Sequence, residues 1–415
     1  MKKYKLACLA SHPIQYFAPL FRHLSERPEV DLTVYFLSDF STAAFYDPGF
    51  GTTFKWDVPL LDGYRYQFLP HLGPSTPLSF FRPWTYGING LLRRGKFDAL
   101  WLMGWGRLTN LRALVSARAL GTKVLVWGDA HAGGPHLYSA RKENIKRKVL
   151  PILFRYIDGF LASATANRNW YMDYGVPESK LFLTPYVVDN DLFKSQSERA
   201  RPRREEFRRE LGLEPGRPVI LYASKFLSRK RPEDLLEAYV QLSPDGKQEP
   251  KPYLLFVGDG ELRPRLEART RELGWESIKF LGFKNQSELP ALYDLCDVFV
   301  LVPEREGLAT VIAEVMNAGK PMIVGDTVGL AADLVVDGQN GYIVKPRDPA
   351  VLADRLRKIT GDPELAAAMG ANGLERIARW NFDAAADGII LALKALTGSP
   401  FERPGQANVS VSPLS

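Results

Sequence analysis

The sequence predicts an α/β protein of two facing Rossmann-like, doubly wound domains with an interdomain cleft. Short β-branched and aromatic runs alternate with helix-period segments through both halves, the pattern of parallel sheets with crossover helices. The 415 residues exceed what one hydrophobic core ordinarily supports. A polar, charged, proline-containing stretch around Asp189 to Arg204 separates the two series and reads as a linker.

In the first half the expected strands are Tyr4 to Ala10, Asp31 to Leu37, Ala99 to Met103, Lys123 to Trp127, Gly159 to Ala162 and Lys180 to Thr184. Helix periodicity falls between them at Pro19 to Ser25, Thr109 to Leu120, Ile145 to Tyr156 and Asn167 to Tyr174. Between Phe40 and Trp84 the pattern is aromatic and rich in Pro and Gly, which suggests loops and short edge strands. The second series has strands Val219 to Ala223, Tyr253 to Val257, Ile278 to Leu281, Val298 to Val302, Pro321 to Val324 and Tyr342 to Val344. Its helices are Pro232 to Leu242, Leu262 to Leu273, Ser287 to Leu295, Thr310 to Ala318 and Ala350 to Ile359. The domains expected are 1–193 and 194–379, with a helix at about 380–397 returning to complete the first and a disordered tail at 398–415. Gly128-Asp129, Gly258-Asp259 and Gly325-Asp326 each close a strand, and ligands of open α/β sheets bind outside such carboxyl ends.

Composition narrows the function. No apolar run approaches the roughly 20 residues of a spanning helix, and the five-residue apolar run after Lys5 is too short for a signal peptide, so a cytoplasmic protein is expected. Cys8 and Cys296 read as buried free thiols. The net charge of +7 is concentrated: Arg141 to Arg155 carries +5 and Arg199 to Glu210 carries +3. Nothing interleaves cations with aromatics as nucleic-acid readout requires. In the first patch the cations alternate with Ile145, Val149, Ile152 and Leu153 at near-helical spacing, which suits peripheral docking on an anionic membrane surface.

The most informative stretch is Val298 to Val324, a buried strand, a charged loop and a helix stopped by Gly319 and Pro321. A helix starting near Gly307 and Leu308 would aim free N–H groups at a phosphate. Glu306 and Glu314 are eight apart, roughly 12 Å along a helix and about 80° around it, so they can hold two ends of an extended polyhydroxyl ligand and not one atom. Arg229, Lys230 and Arg231 precede Pro232 at a helix start, where an anion such as diphosphate would relieve their opposition to the helix dipole. Val257 to Leu262 is a glycine turn that lacks the third glycine of a dinucleotide fingerprint. Asp189-Asn190-Asp191 has the short DxD pattern of a divalent site but falls in the linker, and no metal or cofactor is expected. His131 stands after Asp129 at a strand end, before Gly133-Gly134, where a ligand contact and a structural contact compete.

Glu306, Glu314 and the run Ala318-Gly319-Lys320-Pro321 resemble the EX7E segment of the group 1, or family 4, retaining glycosyltransferases of the GT-B fold. Lys225 to Lys230, Val257 to Leu262, Phe280 to Phe283, Leu289 to Val302 and Asn340 to Val344 match that family's spacing across the second domain. His12-Pro13-Ile14-Gln15-Tyr16 and Pro185 to Asn190 resemble a bacterial surface-polysaccharide subgroup. The resemblance implies a metal-independent hexosyl transfer from a nucleotide diphosphate sugar to a glycan or lipid-linked acceptor. It puts Glu306 at the donor sugar, Glu314 at the ribose, Lys225 and Lys230 at the diphosphate with the amides of Leu308 and Ala309, and Phe283 and its neighbours at the base, with Gly307, Thr310 and Gly258 as further donor-binding residues. The family's first-domain catalytic histidine falls on Asp129 or His131. Lys225 replaces an Arg usual in the family, and His12-Pro13 replaces paired glycines. A nucleotide-sugar epimerase and a non-catalytic nucleotide-sugar-binding protein are the competing readings.

Overall fold

The computed structural model describes residues 3–134, 140–243 and 251–398. Of the expected tail, residues 399–415 lie outside the described residues. A seven-stranded sheet runs Leu181–Leu183, Gly159–Ala162, Lys123–Gly128, Ala99–Met103, Tyr4–Ala10, Val30–Phe36, Tyr66–Phe68, and every pairing in it is parallel. A six-stranded parallel sheet runs Ile278–Gly282, Tyr253–Val257, Val219–Ala223, Val298–Leu301, Met322–Gly325, Gly341–Val344. Helices cover both faces, so strands such as Val219–Ala223 and Val298–Leu301 are buried at every residue and must be apolar throughout.

The second sheet lays three strands outward, then returns to place Val298–Leu301 beside Val219–Ala223. The connections leaving these two strands diverge, and a crevice opens at their carboxyl ends. The corresponding switch in the first sheet lies between Tyr4–Ala10 and Ala99–Met103.

The stretch read as a linker is helical. Asp189 caps the helix Asn190–Ala200 by accepting from the Leu192 N–H at 2.9 Å, and a 3₁₀ turn leads into the helix Arg204–Glu210. Its cations order the segment because Arg201 meets Asp294 at 3.2 Å and Arg204 meets Asp297 at 3.0 Å. Each carboxylate lies 93 residues downstream, beyond the reach of local pattern. The helices Ile88–Gly95 and Pro363–Ile377 were likewise not expected; the second is rich in Ala and Gly. Between Phe40 and Trp84, Phe45–Asp47 pairs antiparallel with Thr52–Phe54, while Tyr66–Phe68 joins the main sheet.

The last helix, Phe382–Thr397, is capped by Asn381 and packs on the first domain against the helix Phe17–Glu26 and the strands Gly159–Ala162 and Leu181–Leu183. Gly388 permits that approach, since a Cβ there would stand 2.0 Å from the Leu183 carbonyl oxygen.

Candidate functional site in the cleft between the sheets

A cavity of 410 Å³ opens where the carboxyl ends of the two sheets face each other. The first domain contributes Tyr16, Phe50, Trp56, Trp127, Asp129 and Tyr186 to its wall; the second contributes Lys225, Lys230, Gly258, Phe283, Glu306, Leu308, Ala309, Thr310 and Glu314. Chain segments far apart in sequence meet here because each follows a strand end.

Lys230 ends the 3₁₀ turn Ser228–Lys230 and is buried with its ammonium against Glu306 Oε2. Arg229 approaches the same carboxylate at 3.6 Å, and Glu306 Oε1 accepts from the Gly307 N–H at 2.9 Å. Burial, with the like charges of Arg229 and Lys225, pushes the Lys230 pKa down, and the Glu306 carboxylate opposes that loss of charge. Arg231 does not join them. It takes φ 53°, leaves the cleft and forks onto Asp234, with Nε 2.9 Å from Oδ2. Two of the three successive cations therefore face the expected anion site.

The helix after Glu306 is Val311–Met316, which starts one residue after the expected Thr310 and three after Leu308, where free N–H groups were expected to begin. Ala309 at φ 56° interrupts the helical path. Left-handed Ala309 followed by right-handed Thr310 turns successive N–H groups toward one side, an anion-holding nest. Among the described residues, the N–H groups of Leu308, Ala309 and Thr310 have no protein acceptor. Across the crevice Gly258, at φ 122°, lets the turn close down: a Cβ would stand 2.0 Å from the Ser224 carbonyl oxygen.

Glu314 is 2% exposed, yet both of its oxygens are satisfied: Tyr16 donates to Oε1 at 2.7 Å and Tyr293 to Oε2 at 2.6 Å. Burial pushes its pKa up and the two hydroxyls oppose the shift. Each oxygen keeps a lone pair, so a ligand hydroxyl can still donate to it. Tyr16 comes from the other domain and was not assigned a role from sequence, although the His12 to Tyr16 run drew attention for its subgroup resemblance; no local spacing links it to a carboxylate 298 positions away.

Phe283 stacks under Phe54 at 4.3 Å, and Lys225 is held by both carboxylate oxygens of Asp47 at 2.8 and 2.9 Å. Asp129 stands in the cavity wall. The His131 ring packs on the loop backbone: Nδ1 accepts from the Gly133 N–H at 3.2 Å, which leaves the proton on Nε2, and this donates to the Glu306 carbonyl at 2.7 Å. Burial lowers its pKa. His131 thus ties the first domain to the backbone that carries Glu306 and the nest.

Asp189 serves as a helix cap, and Asn190 donates to the carbonyls of Ile377 and Trp380, both at 3.1 Å. Among the described residues no group of three His, Cys, Asp or Glu side chains is arranged to hold a metal ion.

Residues 203–376 match the family described as glycosyl transferases group 1. The chain is 29% identical over 214 residues to alpha-D-kanosaminyltransferase of Streptomyces kanamyceticus, covering 51% of this chain and 53% of that one. It is 32% identical over 206 residues to the GDP-mannose-dependent alpha-(1-6)-phosphatidylinositol monomannoside mannosyltransferase of Mycolicibacterium smegmatis, covering 48% and 51%. The chain thus spans about half the length of these curated relatives. In structure it is similar to Anabaena HepE in complex with UDP, with a TM-score of 0.71 at 17% identity over 94% of this chain and all of that one. The two-domain GT-B architecture expected from the sequence is borne out by this likeness.

Proposed function

We propose, from the premise that residues 203–376 are a group 1 glycosyl transferase domain, that the whole chain is a retaining glycosyltransferase. It moves a hexosyl group from a nucleotide diphosphate sugar to a glycan or lipid-linked acceptor in polysaccharide or glycolipid synthesis. The observation that carries the reading is the convergence of Lys225, Lys230 and the acceptor-free amides of Leu308 to Thr310 on one cavity that also contains Glu314. Positive charge and aligned N–H groups at one point suit a diphosphate, and they stabilise it most as it departs with the bonding electrons. Lysines and amides supply the charge that a metal provides elsewhere, so the reaction is read as metal-independent. Glu314 takes ribose hydroxyls, Phe283 and Gly258 lie at the base, and Glu306 binds sugar hydroxyls beside the anomeric carbon. The acceptor enters from the side of Asp129; His131 holds the Glu306 loop in place.

A membrane-bound acceptor is supported by the helix Ala140–Phe154. Leu150, Phe154 and Ile157 are buried against the first domain, while Ile145, Val149, Ile152 and Tyr156 are each more than half exposed on another face. Exposed Arg141, Lys142, Arg147, Lys148 and Arg155 flank that stripe. No helix of the described residues is long and apolar enough to cross a membrane. Peripheral docking on an anionic cytoplasmic leaflet is the arrangement we propose.

A thermal-shift panel of UDP, GDP and ADP sugars, followed by product analysis with and without acceptor, tests the reading. A donor that is consumed only with acceptor and passes its sugar on with unchanged anomeric configuration supports it. Donor epimerised without acceptor, or bound and never consumed, overturns it.

A further inference from the structure

The first domain sends the segment 45–57 across the cleft. Phe45–Asp47 and Thr52–Phe54 form its antiparallel pair, and Phe50 and Trp56 reach the cavity wall. Phe54 covers the Phe283 ring at an interplanar angle of 27°, and Phe50 meets that ring edge-on at 4.9 Å. Polar contacts fasten the far end: Asn285 Nδ2 donates to the Lys55 carbonyl at 2.7 Å, and the Ser287 N–H donates to Asp57 at 3.1 Å. At the near end Asp47 holds the Lys225 ammonium, which also lies 4.7 Å from the centre of the Phe50 ring. The fit is close, since a Cβ on Gly49 would stand 2.7 Å from Lys225 Cδ.

We propose that residues 45–57 are a strap on the donor site, with Asp47 a resident counter-ion from which the donor's diphosphate takes Lys225. The inference rests on the donor reading above. One ammonium cannot pair fully with a carboxylate and a diphosphate together, because the two anions would repel each other at contact distance. The side chains of Lys225 and Asp47 are 30% and 20% exposed, so the pair is partly shielded from water and its exchange is worth more than that of a surface pair. The aromatic part of the strap stays as a wall of the base end, while its Asp47 end is released by phosphate. Asp47 thereby sets donor affinity without touching the sugar.

The test is calorimetric titration of UDP, GDP, ADP and the matching nucleosides into the wild-type chain, Asp47→Asn and Asp47→Asn/Lys225→Met. Asp47→Asn is expected to tighten whichever diphosphate the wild type binds by about three- to ten-fold, to leave its nucleoside unchanged, and to lose the gain when Lys225 is Met. Equal or weaker diphosphate binding, a matching gain for the nucleoside, or a gain that persists without Lys225 would overturn the strap. If wild type and variant both bind no diphosphate, the donor reading itself falls and takes the strap with it; binding by the wild type with no gain in the variant removes the strap alone. Should Asp47→Asn not fold, hydrogen exchange on the wild-type chain decides: saturating diphosphate must speed exchange within residues 45–57, and unchanged or slower exchange counts against the proposal.

Discussion

Lys230 and Glu306 compensate each other inside the cleft: removing Glu306 leaves the Lys230 ammonium buried without its carboxylate, and removing Lys230 leaves Glu306 only Arg229 at 3.6 Å and the Gly307 N–H. Such losses cost about 3–5 kcal/mol of stability. Lys230→Ala is therefore expected to lower the melting temperature as well as transfer, whereas Glu306→Gln keeps a hydrogen-bonding group and loses mainly activity. Each should reduce the rate with an accepted donor by about 10² to 10³, Lys230→Ala by removing a cation from the departing diphosphate and Glu306→Gln by removing negative charge beside the anomeric carbon; near wild-type rates in both would remove them from the chemistry. Tyr16 tests the opposite case, since it acts through Glu314. Tyr16→Phe should raise the donor KM several-fold with little change in kcat, and a fall in kcat alone would place Tyr16 at the reacting centre instead. His12 makes a pH prediction. Burial, aided by the charge of Arg107, lowers its pKa from 6.5 to about 4. Below pH 6.5 the unfolded chain binds a proton that the folded chain refuses, so stability is full above that value and falls as pH drops toward 4. His12→Gln should narrow the difference in melting temperature between pH 8 and pH 5, and an unchanged difference would show that another group governs acid sensitivity.

Among the elements, the helix Ala140–Phe154 owes its membrane reading to two faces that only packing separates. The spacing of Ile145, Val149 and Ile152 is visible in the sequence, and so is that of Leu150 and Phe154, yet nothing local tells which set is buried. The neighbours decide: Phe154 packs on Trp105 and Trp170, leaving the other face outward. Val149→Asp with Ile152→Asp should therefore release the protein from phosphatidylserine-containing vesicles without moving the melting temperature by more than about a degree. Vesicle flotation checks it, and undiminished binding would exclude this helix as the contact. The loop from Glu306 to Thr310 shows the reverse balance. Its residues and their spacing were legible as a site, but the late helix start was not, because Ala309 takes a left-handed conformation that an alanine does not advertise.

At the scale of the molecule, the returning helix Phe382–Thr397 closes the first domain, and its contacts differ in worth. Arg27 reaches Asp383 and Asp387 at 3.2 and 2.7 Å, but both aspartates are largely exposed, so Asp383→Ala should cost at most about 0.5 kcal/mol. Gly388→Val drives a side chain into the Leu183 carbonyl and should cost more than about 2 kcal/mol in denaturant unfolding. Comparable losses from the two would refute the ranking. What the sequence determined by itself was local or periodic: the main strand runs, the alternation of strands and helices along the chain, the EX7E pair, and the cations after Val219–Ala223. Those signals survive because a doubly covered parallel strand must be apolar and a turn at its carboxyl end is where function concentrates. What only the tertiary structure decided was pairing across distance: Asp47 on Lys225, Tyr16 on Glu314, Asp294 and Asp297 on the linker arginines, and His131 on the Glu306 carbonyl. An ion pair or hydrogen bond depends on separation in space, and a single sequence records no such separation once the partners lie on different strands.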